Sequence, residues 1–179
     1  MKQEYWYRTA HEELSRYWLG QLLNLEGKHH TAAEQSRLLS ECPAQPYSLF
    51  ALRAASEIAY EARSLRVLTA AIGKLRQIAT EYPSTRSQGF LLQAEGLEAA
   101  ASGRNAQAIT LLTQAHELWR DIANAFSLAE ACWREREFAQ AFSLYERVIG
   151  KKGTAVRWEQ QTQWVRSFAQ AGRCLRALG

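Results

Sequence analysis

The stretch Gly96-Leu-Glu-Ala-Ala-Ala-Ser-Gly103 decides the fold of this chain. Glycine at the end of a run of helix formers predicts a helix that stops at a left-handed turn. The residues that follow, Asn105 to Trp119, predict a second helix. Its apolar face would carry Ala108, Leu112 and Ala115. The stretch therefore predicts two helices joined by a short turn.

The same pair of glycines occurs three times in the chain. The pairs are each seven residues apart, and successive copies are shifted by 76 residues: Gly20 and Gly27, Gly96 and Gly103, Gly172 and Gly179. Recurrence at a fixed spacing indicates a repeat architecture rather than a local binding motif.

The composition predicts an all-helical protein. Of the 179 residues, 47% are hydrophobic and 22% are charged, which is typical of a globular domain, and only three are proline. Alanine, leucine, glutamate, glutamine and arginine are abundant, and these residue types favour helix over sheet. No stretch has the form of a signal peptide or a membrane span, so we expect a cytoplasmic protein without membrane contact.

Side chains that commonly hold metals are scattered along the chain. Cys42, Cys132 and Cys174 are odd in number and form no Cys-x-x-Cys pair, so neither a disulfide framework nor a zinc site is expected. The four histidines lack the spacing of a metal-binding helix, and no phosphate-binding loop is found. The sequence therefore predicts no catalytic residue, no metal and no cofactor.

Caps and breakers divide the chain into helices. Thr9 followed by Glu12 matches a capping box that opens the first helix, and Gly27 ends it. Asn105 is the expected N-cap of a later helix, and Pro43 separates the first two helix pairs. The other predicted helices are 28–41, 47–64, 67–82, 88–102, 105–119, 122–134, 138–149 and a last helix that follows a connection at 154–161 and ends near Leu178.

With these helices in place, the residues resemble the tetratricopeptide repeat (TPR) family. Its 34-residue pattern has an aromatic residue, Leu-Gly and Tyr in the first helix, then Ala, Phe, Ala and Pro. The residues at the positions of this pattern are Arg16, Leu19, Gly20, Leu23, Gly27, Ala32, Ser36 and Leu39; Ala55, Ile58, Ala59, Ala62, Ala71, Leu75, Ile78 and Pro83; Leu92, Glu95, Gly96, Ala99, Gly103, Ala108, Leu112 and Ala115; Ala125, Leu128, Ala129, Cys132, Ala141, Tyr145 and Val148; Phe168, Ala171, Gly172, Leu175 and Gly179. Three positions depart from the pattern, Ser36, Glu95 and Arg136.

The resemblance implies an all-α, right-handed superhelix of antiparallel helix pairs with about nine helices. It implies one domain over residues 1–179, with repeats at 13–46, 52–85, 89–122 and 122–155 and a half repeat or capping helix at 159–179. A non-repeat helical bundle is the structural alternative. The last helix is either a cap or the beginning of a unit that continues in a longer array. The last segment is also similar to repeat regions of bacterial regulators, kinases and nucleotide cyclases.

Small residues at one position of each first helix would allow its partner helix to approach closely. These residues are Gly20, Ala59, Gly96, Ala129 and Gly172, and they are expected to face Ala32, Ala71, Ala108 and Ala141.

The resemblance also places a binding surface, because the first helix of each pair lines the inner groove of the family's superhelix. The residues that correspond to this inner face are Tyr17, Gln21, Asn24, Arg53, Tyr60, Arg63, Gln93, Leu97, Phe126, Glu130, Trp133, Arg166 and Arg173. Aromatic and arginine side chains are typical of binding surfaces. The alternative for Leu97, Phe126 and Trp133 is that they pack between neighbouring hairpins.

The C-terminal end is the most basic part of the chain. From Arg147 onward there are seven basic side chains and one acidic side chain, whereas the whole chain has a net charge of +4. Arg166, Gln170 and Arg173 share one helix face and would receive a carboxylate or a phosphate. The alternative is a solvated face without a ligand.

These patterns favour a non-catalytic interaction module whose inner groove binds a peptide or helix, including an acidic one. The alternative is a regulatory domain of a bacterial transcription regulator or kinase, with its basic end near nucleic acid. Nucleic acid is not the expected partner, because no recognition signature is present. An enzyme is the weakest hypothesis, because no nucleophile or metal ligand accompanies the glutamates. Homo-oligomers are also expected, through an exposed terminal face and through Tyr5, Trp6 and Tyr7.

Overall fold

A computed structural model describes residues 2–152 and 161–179, with side chains from residue 11 onward. All regular elements in these ranges are helical, which confirms the predicted all-α architecture. They are α1 (Lys2–Leu25), α2 (His29–Ser40), a 3-10 turn (Pro46–Ser48), α3 (Leu49–Glu61), α4 (Leu65–Glu81), α5 (Thr85–Ala101), α6 (Asn105–Leu118), α7 (Ile122–Arg134), α8 (Phe138–Gly150) and α9 (Gln161–Leu178). The predicted aromatic patch of Tyr5, Trp6 and Tyr7, and most of the predicted connection at 154–161, lie outside the described side chains.

The chain divides into two compact units, Met1–Ser87 (unit 1) and Gln88–Gly179 (unit 2). The core of unit 1 is built from α1 to α4 and contains Tyr17, Ala32, Leu39, Ala51, Ala55, Ile58 and Ala71. The core of unit 2 is built from α5 to α9, and its largest buried side chains include Leu112, Ile122, Phe126 and Tyr145. Each unit therefore has an apolar centre of its own.

The four turns within the hairpins share one hydrogen-bond pattern. The central residue of each turn is Gly27, Arg63, Gly103 or Arg136, and its N–H donates to the carbonyl three residues before it. The N–H of the residue that follows donates to the carbonyl five residues before that residue. The hydrogen bonds that span five residues run from Lys28 to Leu23 (2.8 Å), Ser64 to Ala59 (2.8 Å), Arg104 to Ala99 (2.9 Å) and Glu137 to Cys132 (2.9 Å). This is the Schellman motif, which satisfies the last carbonyls of a helix. The recurring motif confirms the predicted antiparallel helix pairs and sets their register.

The turn residue is left-handed in all four hairpins. Gly27 and Gly103 have φ values of 76° and 74°, as their identity predicts. Arg63 and Arg136 have φ values of 57° and 63°, a conformation that costs a residue with a Cβ about 1–2 kcal/mol. The departure noted at Arg136 is thus a change of residue and not of backbone.

This register corrects the expected pairing in the second hairpin. Gly20, Gly96 and Ala129 each stand seven residues before the left-handed residue of their turn, and in the second hairpin that position is Ser56, not Ala59. The position expected for Ala71 is likewise held by Leu68, whose N–H begins α4 by donating to the Ser64 carbonyl. The small-residue register was therefore wrong by three residues in α3 and α4.

The close approaches also differ from the expected ones. A Cβ on Gly96 would lie 2.7 Å from Cγ of Leu112, so α5 and α6 do meet at this glycine, although not at Ala108. A Cβ on Gly20 would lie 2.7 Å from Cδ1 of Ile58, which is in α3 and not in the paired α2. Among the described residues, no atom lies within 4 Å of that place at Gly172, so the close contact predicted there is not found in this part of the chain.

The starts of α1 and α5 and the N-cap of α6 differ from the prediction for local reasons. Helix α1 already includes Thr9, so Thr9 does not open it. Asn105 is inside α6, whose N-cap is Arg104, and its amide donates instead to Glu135 at 2.6 Å. Helix α5 begins at Thr85, because Ser84 and Ser87 each accept a 3.0 Å hydrogen bond from the other's backbone N–H, which is a reciprocal cap.

We expect Gly96→Ala to lower the free energy of unfolding by about 1–3 kcal/mol, because its new methyl group overlaps Leu112. Gly172→Ala is the matched control. It stands at the equivalent position in α9 and faces open space, so it should raise stability by about 0.5–1 kcal/mol through helix propensity. Urea unfolding of both variants measures the difference, and equal effects would contradict the close contact at Gly96.

Candidate functional site

The carboxylate of Glu130 organises the polar contacts between three helices of unit 2. Its Oε1 accepts hydrogen bonds from the Tyr145 hydroxyl of α8 and from Nε2 of Gln170 of α9, both at 2.7 Å. Nη1 of Arg173 donates to Oε1 of Gln170 at 3.0 Å. We call Phe126, Glu130, Tyr145, Arg166, Gln170 and Arg173 the Glu130 cluster. The hydrogen bonds fix Gln170, and through it Arg173, against α7.

An aromatic pair forms the floor of the Glu130 cluster. The Phe126 and Tyr145 rings are buried and meet edge to face, with their centroids 5.9 Å apart. The Arg166 guanidinium carbon lies 4.9 Å from the Phe126 centroid, within cation–π range. Arg166 is half-buried and Arg173 is exposed. The cluster thus presents two guanidinium groups that lie two helical turns apart on α9, one of them resting on an aromatic ring.

Burial and the Glu130 charge act together on the neighbouring titratable groups. Burial first, and then the carboxylate of Glu130, raises the pKa of the Tyr145 hydroxyl far above its usual range. The same two causes raise the pKa of the Cys174 thiol. Both groups therefore stay protonated at neutral pH, and Tyr145 acts as a hydrogen-bond donor.

In unit 1 most of the predicted groove residues form buried contacts between helices. The Tyr17 hydroxyl donates to Oε2 of Glu57 at 3.3 Å, and Nε of Arg53 is 3.2 Å from Oε1 of the same carboxylate. All three side chains are buried. The ion pair lies within α3 and is satisfied internally, so it offers no charge to a ligand. The hydrogen bond from Tyr17 joins α1 to this pair.

The other predicted residues of unit 1 vary in exposure. Asn24 is buried, and its Nδ2 donates to the Ile58 carbonyl at 3.2 Å. Gln21 is also buried, and neither polar atom of its amide has a hydrogen-bond partner among the described residues. Tyr60 is half-buried, and Arg63 is the exposed left-handed residue of the turn.

The remaining predicted residues lie in unit 2 outside the Glu130 cluster. Gln93 is buried and donates to the Ser127 hydroxyl at 3.1 Å, and Leu97 is buried. Trp133 is half-buried, with its ring 4.9 Å from that of Phe138 in α8. The structure brings together Phe126, Glu130, Arg166 and Arg173 but places Gln93, Leu97 and Trp133 at other contacts.

The sequence did not predict two residues of these hydrogen-bond networks. They are Glu57, which accepts from Tyr17, and Tyr145, which donates to Glu130. Glu57 follows Arg53 by four residues, a helical ion-pair spacing that is visible in the sequence. Tyr145 had been matched only to an aromatic repeat position, and nothing local to it signals a carboxylate partner 15 residues earlier.

The described residues show no arrangement for metal binding. Among them, no three His, Cys, Asp or Glu side chains are placed to hold a metal ion. Cys132 and Cys174 are buried free thiols and Cys42 is a half-buried one. Burial and then Glu137 raise the pKa of Cys132 to about 12, which makes it a poor nucleophile. None of the described helices is long and apolar enough to cross a membrane.

Comparison with known proteins yields structures but no family. No family model matches the chain, and no curated protein matches it significantly. Two solved structures are similar, a kinesin-light-chain-like protein of Podosopora anserina with nearly identical TPR-like repeats and a single-residue variant of it. Both are 18% identical and cover 92% of this chain. The protein is covered over 86% of its own length with a TM-score of 0.46, and the variant over 85% with a TM-score of 0.47.

We expect Tyr145→Phe to lower the free energy of unfolding at pH 7 by about 2 kcal/mol, because it removes a buried hydrogen bond to a charged group. The raised pKa of Tyr145 means that the folded state holds this proton above pH 10, where the unfolded chain releases it. Wild-type stability should therefore fall as the pH rises beyond about 10, and less steeply in the variant.

The control for this prediction is Tyr82→Phe, since Tyr82 is exposed and should affect neither stability nor its pH dependence. Denaturant unfolding between pH 7 and pH 11 gives both quantities. Identical alkaline slopes for wild type and Tyr145→Phe would contradict the assigned role.

Proposed function

We propose that this chain is a non-catalytic interaction module that binds an acidic segment of a protein partner through the arginine face of α9 in unit 2. The observation that carries the proposal is the hydrogen-bonded chain from Tyr145 through Glu130 and Gln170 to Arg173. It holds a guanidinium in place before any ligand arrives, which reduces the entropy lost on binding.

The two guanidinium groups differ in ways that suit a carboxylate ligand. Arg166 is supported by the Phe126 ring, so its position is defined, and Arg173 is exposed at the rim. Arginine binds carboxylates through two parallel hydrogen bonds, and such charge-assisted bonds are among the stronger ones. An extended segment with two acidic side chains could engage both groups.

Nothing in the Glu130 cluster supports a reaction. Its hydroxyl belongs to a tyrosine whose raised pKa keeps it protonated, and its nearest thiol, Cys174, is buried with a raised pKa. An activated nucleophile needs a lowered pKa or an adjacent base. Binding is therefore the function that the geometry supports best.

The test measures fluorescence anisotropy with a labelled oligoglutamate peptide as the probe, beside an oligolysine peptide and a short DNA duplex. We expect salt-sensitive binding of oligoglutamate and an affinity at least about tenfold lower for Arg166→Ala with Arg173→Ala, since each loses a charge-assisted contact. Arg104→Ala with Arg147→Ala removes the same charge from exposed positions elsewhere in unit 2 and should retain most of the affinity.

Glu130→Gln should change the affinity for oligoglutamate in the opposite direction. It removes the negative charge of the cluster but keeps an oxygen that accepts hydrogen bonds, so oligoglutamate should bind about two- to fivefold more tightly. If both double arginine variants lost the same affinity for oligoglutamate, net charge alone would explain the binding. A chain that binds only the duplex would contradict a protein partner.

A further inference from the structure

Helix α9 of unit 2 exposes an apolar stripe on a face that does not include Gln170. Val165, Phe168 and Leu175 are 60%, 50% and 53% exposed. Gly172 lies in the same stripe, and no atom of residues 11–152 or 161–179 lies within 4 Å of the place where its Cβ would be. The four positions follow the spacing of one helix face. A contiguous exposed stripe of this kind marks an interaction surface.

The equivalent stripe of α7 is covered. The positions correspond when counted back from the left-handed residues Gly179 and Arg136. They are Ile122, Ala125, Ala129 and Cys132, and all are at most 1% exposed. Helix α8 packs over them with its own buried residues, Ala141, Leu144, Tyr145 and Val148. The α7–α8 hairpin therefore shows what kind of helix fits the stripe of α9.

Helix α1 of unit 1 carries the residue pattern that α8 uses. On α8 the small Ala141 is followed by larger residues three, four and seven positions later. On α1 the small Ser15 is followed at the same spacing by Trp18, Leu19 and Leu22. Leu19 and Leu22 are 46% and 56% exposed, whereas Trp18 is half-buried against the core of unit 1. The part of this face that is open to a partner is therefore formed by the two leucines.

The same correspondence pairs opposite charges at one end of the contact. In the α7–α8 hairpin the ring centroids of Trp133 and Phe138 are 4.9 Å apart. These positions correspond to Arg176 on α9 and Glu12 on α1, which are both exposed. Glu12 lies 3.6 Å from Arg16 of its own helix, an exposed pair that contributes little. Where the hairpin has an aromatic contact, the pair of α9 and α1 would therefore have a guanidinium opposite a carboxylate.

We propose that α9 of one copy of this chain binds α1 of a second copy, in the arrangement of the α7–α8 hairpin. Two α9 helices would fit each other less well, because α9 carries Arg166, Arg173 and Arg176 and has no acidic residue to pair with them. Helix α1 offers Glu12 there instead. Because the two surfaces differ, the contact is heterologous, and copies join head to tail.

The test uses two variants that each block one surface. Val165→Glu with Leu175→Glu blocks α9, and Leu19→Glu with Leu22→Glu blocks α1. All four side chains are exposed, so circular dichroism and thermal unfolding at low concentration should show an unchanged fold. Each pair removes two leucine-sized contacts, so the affinity of the blocked contact should fall at least about 100-fold.

Sedimentation velocity over a wide concentration range gives the readout. We expect wild type to grow beyond a dimer, each blocked variant alone to remain monomeric, and their equimolar mixture to form a one-to-one heterodimer. A wild type that is monomeric at every concentration would overturn the proposal. So would association of the α1-blocked variant alone, which indicates contact between two α9 helices, or of the α9-blocked variant alone, which indicates contact between two α1 helices.

A charge exchange tests the register of the contact. Glu12→Lys and Arg176→Glu should each weaken association about two- to fivefold, and both together in one chain should restore it. Arg147→Glu changes an exposed charge elsewhere in unit 2 and should have no effect. A double variant as weak as the sum of the single changes would overturn the pairing of Glu12 with Arg176.

Discussion

The left-handed residue between the two helices of a hairpin is the constraint from which the other features follow. It turns the chain so that the next N–H reaches the carbonyl five residues back, and this fixes where the second helix begins. At Gly27 and Gly103 the conformation has no steric cost. At Arg63 and Arg136 it costs about 1–2 kcal/mol, which the packing of the hairpin must exceed. The turn is retained even where the residue opposes it, so the packing of the helix pair determines the backbone there.

Most of the helices could be predicted from the sequence, but the register of the second hairpin could not. The glycine spacing located the turns at Gly27 and Gly103, because glycine is the residue type that most readily adopts a positive φ. Arg63 carries no such signal, since its φ is imposed by the helices on either side. Helix α3 is rich in alanine, so residue size alone permits several registers, and Ser56 was passed over for Ala59. A pattern of small residues is informative only where small residues are rare.

The candidate site shows the same division between local and distant information. Glu57 and Glu130 occupy equivalent places, each six residues before the left-handed residue of its turn, and each accepts a hydrogen bond from a tyrosine. The helix faces that carry them were predictable from periodicity. Their partners were not, because Tyr17 is 40 residues from Glu57, and Gln170 is 40 residues from Glu130. Only the fold decides whether a carboxylate on such a helix face is buried against a partner or left for a ligand.

Helix α9 combines two surfaces with different physics. On one face, hydrogen bonds and a cation–π contact hold polar groups in defined positions, and their interaction with a charged ligand is screened by salt. On the other face, Val165, Phe168 and Leu175 expose apolar area. The hydrophobic effect that would bury this area is non-directional and is not weakened by salt screening. Residues Ala171 and Cys174 are buried against unit 2 and hold the helix between these faces. Because the helix is fixed along its buried edge, occupation of one face need not move the other. Raising the salt concentration would therefore weaken the polar interaction while leaving most of the apolar one intact.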